Sequence, residues 1–239
     1  MNELLEKIKE RLKSSRSPVI LTGAGISAES GVPTFRGPGG LWRDFKPEEL
    51  ATPTAFEKDP RLVWEWYDWR RSIIAGIKPN PAHYALAELE GRCSNFTLIT
   101  QNVDGLHRLA GSKKVLELHG SIWRVRCIEC AKLSENRDVP IKILPLCECG
   151  GILRPDVVWF GEMLDENILN QAFEASKRAD FMLVVGTSGI VQPAASLAST
   201  GRRAGAFMVE INPEPTPLSG IMDARFTEKA GDVLPMLIR

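Results

Sequence analysis

Four cysteines carry the most specific chemical signal in the chain. Cys127-x-x-Cys130 is followed, after sixteen residues, by Cys147-x-Cys149. Each pair suits one turn, and two such knuckles can offer four thiolates to a tetrahedral zinc ion. Four sulfur ligands leave no coordination position for a substrate, so the expected metal is structural. Gly150 and Gly151 suit the tight backbone of the second knuckle, although C-x-C is shorter than the usual C-x-x-C. The competing reading is a set of free or redox-active thiols. Cys93 stands apart and is expected to be a buried small hydrophobe.

A second signal is a glycine loop. Gly23-Ala24-Gly25-Ile26-Ser27-Ala28 fits the G-x-G-x-x-G/A dinucleotide fingerprint and follows a short apolar run, Pro18 to Leu21. Glycines there allow a tight turn and let backbone N–H groups approach a pyrophosphate; the alternative is a plain strand-to-helix turn. In a nicotinamide dehydrogenase a second strand ends, about 20 residues on, in an acidic residue that binds the ribose. Here the chain runs instead through Ser30-Gly31-Val32-Pro33-Thr34-Phe35-Arg36-Gly37, which does not resemble a strand. The loop therefore points to NAD binding without hydride transfer. Asn212, ending the last apolar run, is the candidate ribose partner.

Polar turns follow two further apolar runs. Thr100-Gln101-Asn102-Val103-Asp104-Gly105-Leu106-His107 offers uncharged donors and one carboxylate, suited to ribose and amide recognition; a capped helix start at Asn102 or Asp104 is the plainer alternative. His119-Gly120-Ser121 follows Val115 to Leu118. Of three histidines, His119 is the one at a strand end, where an imidazole reaches a crevice and titrates in the range needed for general base work. By composition alone a satisfied structural histidine explains it equally well. His83 and His107 are expected to be structural.

These residues need elements to hold them. Pro18 to Leu21, Phe96 to Thr100, Val115 to Leu118, Phe181 to Val185 and Ala206 to Ile211 read as buried parallel strands. Met1 to Lys13, Ala82 to Glu90, Ile168 to Arg178 and Pro193 to Ala204 read as helices. Their alternation implies an α/β fold: a doubly wound, Rossmann-like parallel sheet. The aromatic, partly helical stretch 36–90 and the cysteine region 121–154 break the rhythm. Together they are assigned to a smaller helical and zinc-binding domain, against a larger nucleotide-binding part from 1–35, 91–120 and 155–239. The crevice between the two is the expected ligand site.

The chain has 239 residues, 44% hydrophobic and 25% charged, with a formal net charge of zero. That is enough chain for a substantial core, and the charge argues against a global basic field for nucleic acid. Around the cysteines, Arg126, Lys132, Arg137 and Lys142 are offset by Glu129, Glu135, Asp138 and Glu148. No direct nucleic-acid binding is expected. No apolar run reaches membrane-spanning length, and the first residues form an amphipathic pattern rather than a signal peptide. The expected location is cytoplasmic, with thiols kept reduced.

Taken in order, Gly23 to Ser27, Gly31 to Arg36, Thr100 to Asp104, His119-Gly120, the four cysteines, Gly186-Thr187-Ser188 and Ile211-Asn212 resemble the sirtuin family of NAD-dependent protein deacylases, across most of the chain. The resemblance implies a mechanism. The acyl oxygen of a modified lysine attacks the anomeric carbon of NAD and displaces nicotinamide. His119 takes a proton from a ribose hydroxyl, which attacks the resulting imidate-like intermediate. The products are free lysine, nicotinamide and O-acyl-ADP-ribose, so NAD is consumed rather than reduced.

By the same resemblance Asn102 joins His119 in the chemistry. Gly23, Ala24, Gly25, Ser27, Phe35, Arg36, Trp42, Gln101, Asn102, Val103, Asp104, Gly186, Thr187, Ser188, Asn212 and Ala230 contact the nucleotide. Val157, Val158, Trp159, Phe160 and Gly161 resemble the edge to which an acylated lysine segment adds as a strand. Protein ADP-ribosylation on the same scaffold is the alternative activity.

Tyr67 and Arg70 lie three apart and share a helix face. A phenol and a guanidinium side by side form a fork for a carboxylate, which an acetyl group lacks. The pair resembles the Tyr-x-x-Arg signature of the desuccinylase and demalonylase branch, so succinyl or malonyl removal is expected to exceed acetyl removal. The competing reading is an amphipathic helix whose Arg70 faces water.

Overall fold

A computed structural model describes residues 2–34 and 47–238; Phe35, Arg36 and Trp42 lie outside the described residues. The strands are β1 (Pro18–Thr22), β2 (Thr97–Thr100), β3 (Val115–Glu117), β4 (Gly120–Cys127), β5 (Leu133–Glu135), β6 (Leu153–Val157), β7 (Phe181–Val185), β8 (Phe207–Ile211) and β9 (Ala224–Phe226). The α-helices are α1 (Asn2–Ser14), α2 (Ala24–Ala28), α3 (Pro47–Leu50), α4 (Pro53–Lys58), α5 (Pro60–Ala75), α6 (Pro81–Arg92), α7 (Leu106–Leu109), α8 (Glu166–Arg178), α9 (Ala194–Arg203) and α10 (Ala230–Ile238).

Six strands form one parallel sheet in the order β3-β2-β1-β7-β8-β9. The chain winds outward from β1 to β3, then returns beside β1 with β7 and winds the other way. The carboxyl ends of β1 and β7 therefore flank a topological switch point, where open α/β sheets bind ligands. All five residues of β1 and of β7 are buried. Cover on both faces is why these strands read as unbroken apolar runs. Ile20, Leu183 and Val209 pack with α1, α6 and α10 on one face, while Val19, Leu21, Val184 and Met208 pack with α8 and α9 on the other. The sixth strand, β9, is three residues long and too short to stand out in the sequence.

A smaller antiparallel sheet, β5-β4-β6, carries the four cysteines at one end. Its core joins Ile122, Trp123 and Val125 of β4 to Trp64, Trp66 and Tyr67 of α5. β4 and β6 were not expected as strands, because arginines and a tryptophan interrupt their apolar pattern. α5 begins where Asp59 accepts a hydrogen bond from the Leu62 N–H at 2.9 Å and Pro60 opens the first turn. α6 packs Ala82, Ala85, Leu86 and Leu89 onto the large sheet rather than the small one. No described helix is long and apolar enough to cross a membrane.

Candidate active site

The glycine turn after β1 lies directly on the turn after β7. The Gly23 N–H donates to Val185 O at 3.0 Å, and the Gly25 N–H donates to Gly186 O at 2.8 Å. Gly186 has φ +59°, and a Cβ there would sit 2.4 Å from the Ile26 nitrogen. A Cβ on Gly23 or Gly25 would come within 2.8 or 2.7 Å of Gly186 atoms. The glycines thus serve close backbone packing between two turns, with Gly25 N–H already engaged. The Gly186 N–H donates to Ile211 O at 2.9 Å, which ties in the end of β8. Gly23 caps α2 without a side-chain hydrogen bond; the Gly25 and Ile26 N–H groups are taken by Gly186 O and Gly23 O, and Ala24 lines the crevice.

Beside this stack runs the turn after β2. The Gln101 N–H donates to Thr22 O at 3.0 Å, and Gln101 Nε2 donates to Thr187 Oγ1 at 2.9 Å. Asn102 Nδ2 donates at 3.1 Å to both Gly23 O and Ser27 Oγ. Asp104 is buried, accepts from the Leu106 N–H at 2.8 Å, and has a pKa raised above the carboxylate norm by loss of water. His119 Nδ1 lies 3.0 Å from Gln101 O. A carbonyl only accepts, so Nδ1 carries the proton and Nε2 is left as the basic nitrogen. Burial lowers the His119 pKa below its ordinary 6.5, keeping it neutral near pH 7.

His83 and His107 sit behind this wall. His83 Nδ1 accepts from the Asn80 N–H at 3.3 Å in a capping box at the start of α6, and burial lowers its pKa to about 4. His107 Nε2 lies 3.0 Å from Thr22 Oγ1, and burial depresses its pKa strongly.

From the opposite side α5 supplies Tyr67 and Arg70, both buried, at 1% and 3% exposure. Arg70 does not face water. Its guanidinium lies 4.7 Å from the Trp66 ring centroid and 5.4 Å from that of Tyr67. Burial raises the Tyr67 pKa and lowers that of Arg70. β6 leads from Val157 into Val158–Gly161. The Val158 N–H donates to His119 O at 3.0 Å, the Trp159 N–H to Glu162 at 2.8 Å and the Phe160 N–H to Ala51 O at 2.9 Å.

All of these walls enclose one cavity of about 690 Å³. Of the residues singled out in the sequence, Gly23, Ala24, Gly25, Gln101, Asn102, Val103, His119, Gly186, Thr187, Ser188, Asn212, Tyr67, Arg70 and Val157 to Gly161 line it. Ser27, Asp104 and Ala230 do not. Ser27 and Asp104 stand in a second row behind Asn102 and the turn. Ala230 opens α10, its N–H donating to Glu29 at 2.7 Å. Sequence reasoning missed Thr34, Ala51, Trp66, Glu162, Leu164, Ile190 to Gln192 and Glu214 to Pro217. The run Glu214 to Pro217 follows Asn212 past the carboxyl end of β8, a position that marks crevice residues; Ala51 offered no comparable signal.

The four cysteine sulfurs lie within 4.8 Å of one another, with separations of 3.5, 3.6 and 3.7 Å for three of the pairs. A tetrahedron with zinc–sulfur arms of ~2.3 Å has edges of ~3.8 Å, so the set fits a zinc ion. The knuckles close through Ala131 N–H to Cys127 O at 3.1 Å and Gly150 N–H to Cys147 O at 2.9 Å. Gly151 lacks a Cβ that would meet Cys127 Sγ at 2.8 Å. No cysteine of the cluster lines the cavity.

Comparison with known proteins agrees with this geometry. Residues 23–193 match the family model described as Sir2 family. An NAD-dependent protein deacylase of Aquifex aeolicus is 58% identical over 214 residues, covering 89% of this chain and 90% of that protein. A crystal structure of a Sir2 homolog–NAD complex superposes with a TM-score of 0.92 at 51% identity, covering 98% of this chain and 92% of the other. A Sir2 variant bound to a deacetylated p53 peptide and 3′-O-acetyl ADP ribose superposes with a TM-score of 0.86 at 36% identity, covering 98% and 96%. By sequence and by fold, the chain belongs to the Sir2 family.

Proposed function

We propose that this chain transfers acyl groups from protein lysines to the ADP-ribose part of NAD, releasing nicotinamide, with His119 as general base and with a preference for succinyl or malonyl over acetyl. It is an NAD-dependent protein deacylase. The observation that carries the reading is the shared cavity: the stacked glycine turns, the basic Nε2 side of His119, and the Tyr67–Arg70 pair all line it.

The Gly23–Gly25 and Gly186–Ser188 turns, which let backbone approach closely, suit the phosphates and adenosine half, with Asn212 on the ribose. Gln101 and Asn102 suit the nicotinamide end. The acyl oxygen attacks the anomeric carbon as nicotinamide leaves, a step that gains most from positioning. His119, already neutral, then takes the ribose hydroxyl proton on Nε2 while Gln101 O holds its ring; the freed oxygen adds to the acyl carbon, lysine leaves as the amine, and water from solvent completes O-acyl-ADP-ribose. The acylated lysine enters past Val157–Gly161. A peptide pairing with this segment uses carbonyl groups, since the N–H groups of residues 158 to 160 are engaged.

For the acyl end, a buried guanidinium beside a phenol supports carboxylate recognition, because such a pair binds a carboxylate by charge-assisted hydrogen bonds. The four cysteines would hold zinc as a staple remote from the chemistry. The division into a nucleotide-binding part (1–35, 91–120, 155–239) and a smaller part (36–90, 121–154) is supported by the two sheets with separate cores, although α6 packs with the larger.

The test is mass spectrometry of products after incubation with NAD and matched acetyl- or succinyl-lysine peptides. Wild type should give nicotinamide and O-acyl-ADP-ribose, faster with succinyl. His119→Tyr should give no O-acyl-ADP-ribose, and Arg70→Met should lose succinyl turnover more than acetyl turnover. Equal losses on both peptides in Arg70→Met would refute the carboxylate fork. ADP-ribosylated peptide as the main product would replace deacylation with the transferase reading.

A further inference from the structure

The Tyr67 hydroxyl is more constrained than its place in the acyl pocket requires. The Trp159 indole N–H donates to Tyr67 Oη at 2.9 Å. The Arg70 guanidinium lies over the same ring, 5.4 Å from its centroid. An indole N–H only donates, so it commits the phenol oxygen as acceptor. With that acceptor role filled from Trp159, the phenol still has its own proton to donate, and Tyr67 lines the cavity.

Trp159 itself cannot turn. Its ring is 3% exposed and lies between the Phe56 ring, 5.3 Å away centroid to centroid, and the Arg154 guanidinium, 3.4 Å from the centroid. Arg154 is held by both carboxylate oxygens of Glu162, at 2.5 and 3.0 Å, and Glu162 also accepts the Trp159 N–H.

We infer that Trp159 is a positioning residue for acyl specificity: by donating to Tyr67 Oη it aims the phenol proton into the pocket as a donor for an acyl carboxylate. The inference rests on the carboxylate reading of Tyr67 and Arg70. An acetyl group offers no acceptor at that point, so the aimed proton favours carboxyl-bearing acyl chains alone.

The test is the ratio of kcat/KM on succinyl- and acetyl-lysine peptides of one sequence. A ratio cancels any loss common to both substrates, which a purely structural role of the indole would cause. Trp159→Phe keeps an aromatic ring, smaller than the indole, and removes the N–H; the succinyl-to-acetyl ratio should fall about tenfold, as for a weakened hydrogen bond to a charged group. In a Tyr67→Phe background, where there is no phenol to aim, the same substitution should leave the ratio unchanged. An unaltered ratio in the single variant, or the same fall in both backgrounds, would overturn the inference while leaving the carboxylate reading intact. A wild type without succinyl preference, indifferent to Arg70→Met, would overturn both.

Discussion

Gly25→Ala separates two accounts of the glycine loop. Gly25 lies inside the short helix α2, where alanine is intrinsically favoured by about 1 kcal/mol. Local propensity therefore predicts a neutral or stabilising change. The tertiary structure predicts the reverse. The new Cβ would lie 2.7 Å from Gly186 Cα, and relief to an ordinary 3.4 Å contact needs a shift of 3.4 − 2.7 = 0.7 Å. Both partners are backbone, so no side chain can swing aside.

Overpacking of this kind costs about 1–3 kcal/mol, and weakening the 2.8 Å Gly25–Gly186 hydrogen bond adds about 1 kcal/mol. After the propensity gain the net loss is about 1–3 kcal/mol, or roughly 2–6 °C in Tm for a chain of this size. The shift also displaces the turn that lines the nucleotide end, and misplacement on the scale of an ångström costs up to ~100-fold in rate. We expect kcat/KM for NAD to fall by roughly tenfold or more. Gly76→Ala is the control: it caps α5 at φ −88° with nothing within 4 Å of the added Cβ, and should leave both readouts unchanged. Thermal melts and NAD titrations of the two variants suffice. A Gly25→Ala protein with wild-type Tm and wild-type NAD kinetics would refute the stacked-turn argument.

Three further outcomes follow from the titrating groups and the cysteines. Because burial lowers the His119 pKa, the acid limb of kcat/KM should lie below pH 6.5; a limb above it would mean another group limits the reaction. His83 is neutral when folded and charges more easily when unfolded, so its contribution is present above pH 6.5 and is lost as pH falls toward 4. That is about 3 kcal/mol for the 2.5-unit difference, with His107 acting in the same direction and Asp104, whose pKa is raised, acting in the opposite one. Urea unfolding at pH 7, 6 and 5 should show a steady decline, and a flat profile would contradict the assignment. Zinc binding energy in such a cluster is folding energy, so chelation or Cys147→Ser should melt the small sheet. A zinc content near one ion per chain, and a lowered Tm on its removal, would be the signature; a chelated protein with an unchanged melt would exclude a structural metal.

The sequence by itself determined the large sheet and the nature of the site. Strands covered on both faces must be apolar throughout, so β1, β2, β3, β7 and β8 were legible as runs, and the polar turns behind them were legible as crevice residues. The cysteine spacing was legible because metal geometry demands a fixed ligand set. The small sheet was not, since β4 and β6 carry Arg124, Arg126 and Arg154 in ion pairs that hide the strand period. Nor could the sequence say what the glycines were for: it offered a phosphate cradle, whereas the absent Cβ atoms of Gly25 and Gly186 are required by two backbones 161 residues apart that touch.

The same holds for the Tyr67–Arg70 side of the cavity. Helix periodicity put Tyr67 and Arg70 on one face, but that face turned out to be buried because Trp159 and Trp66 close over it. Which tautomer His119 holds, and where the Tyr67 proton points, depend on hydrogen bonds to Gln101 and Trp159. Those partners are brought in from distant parts of the chain, and only the folded arrangement of two sheets about one cavity fixes them.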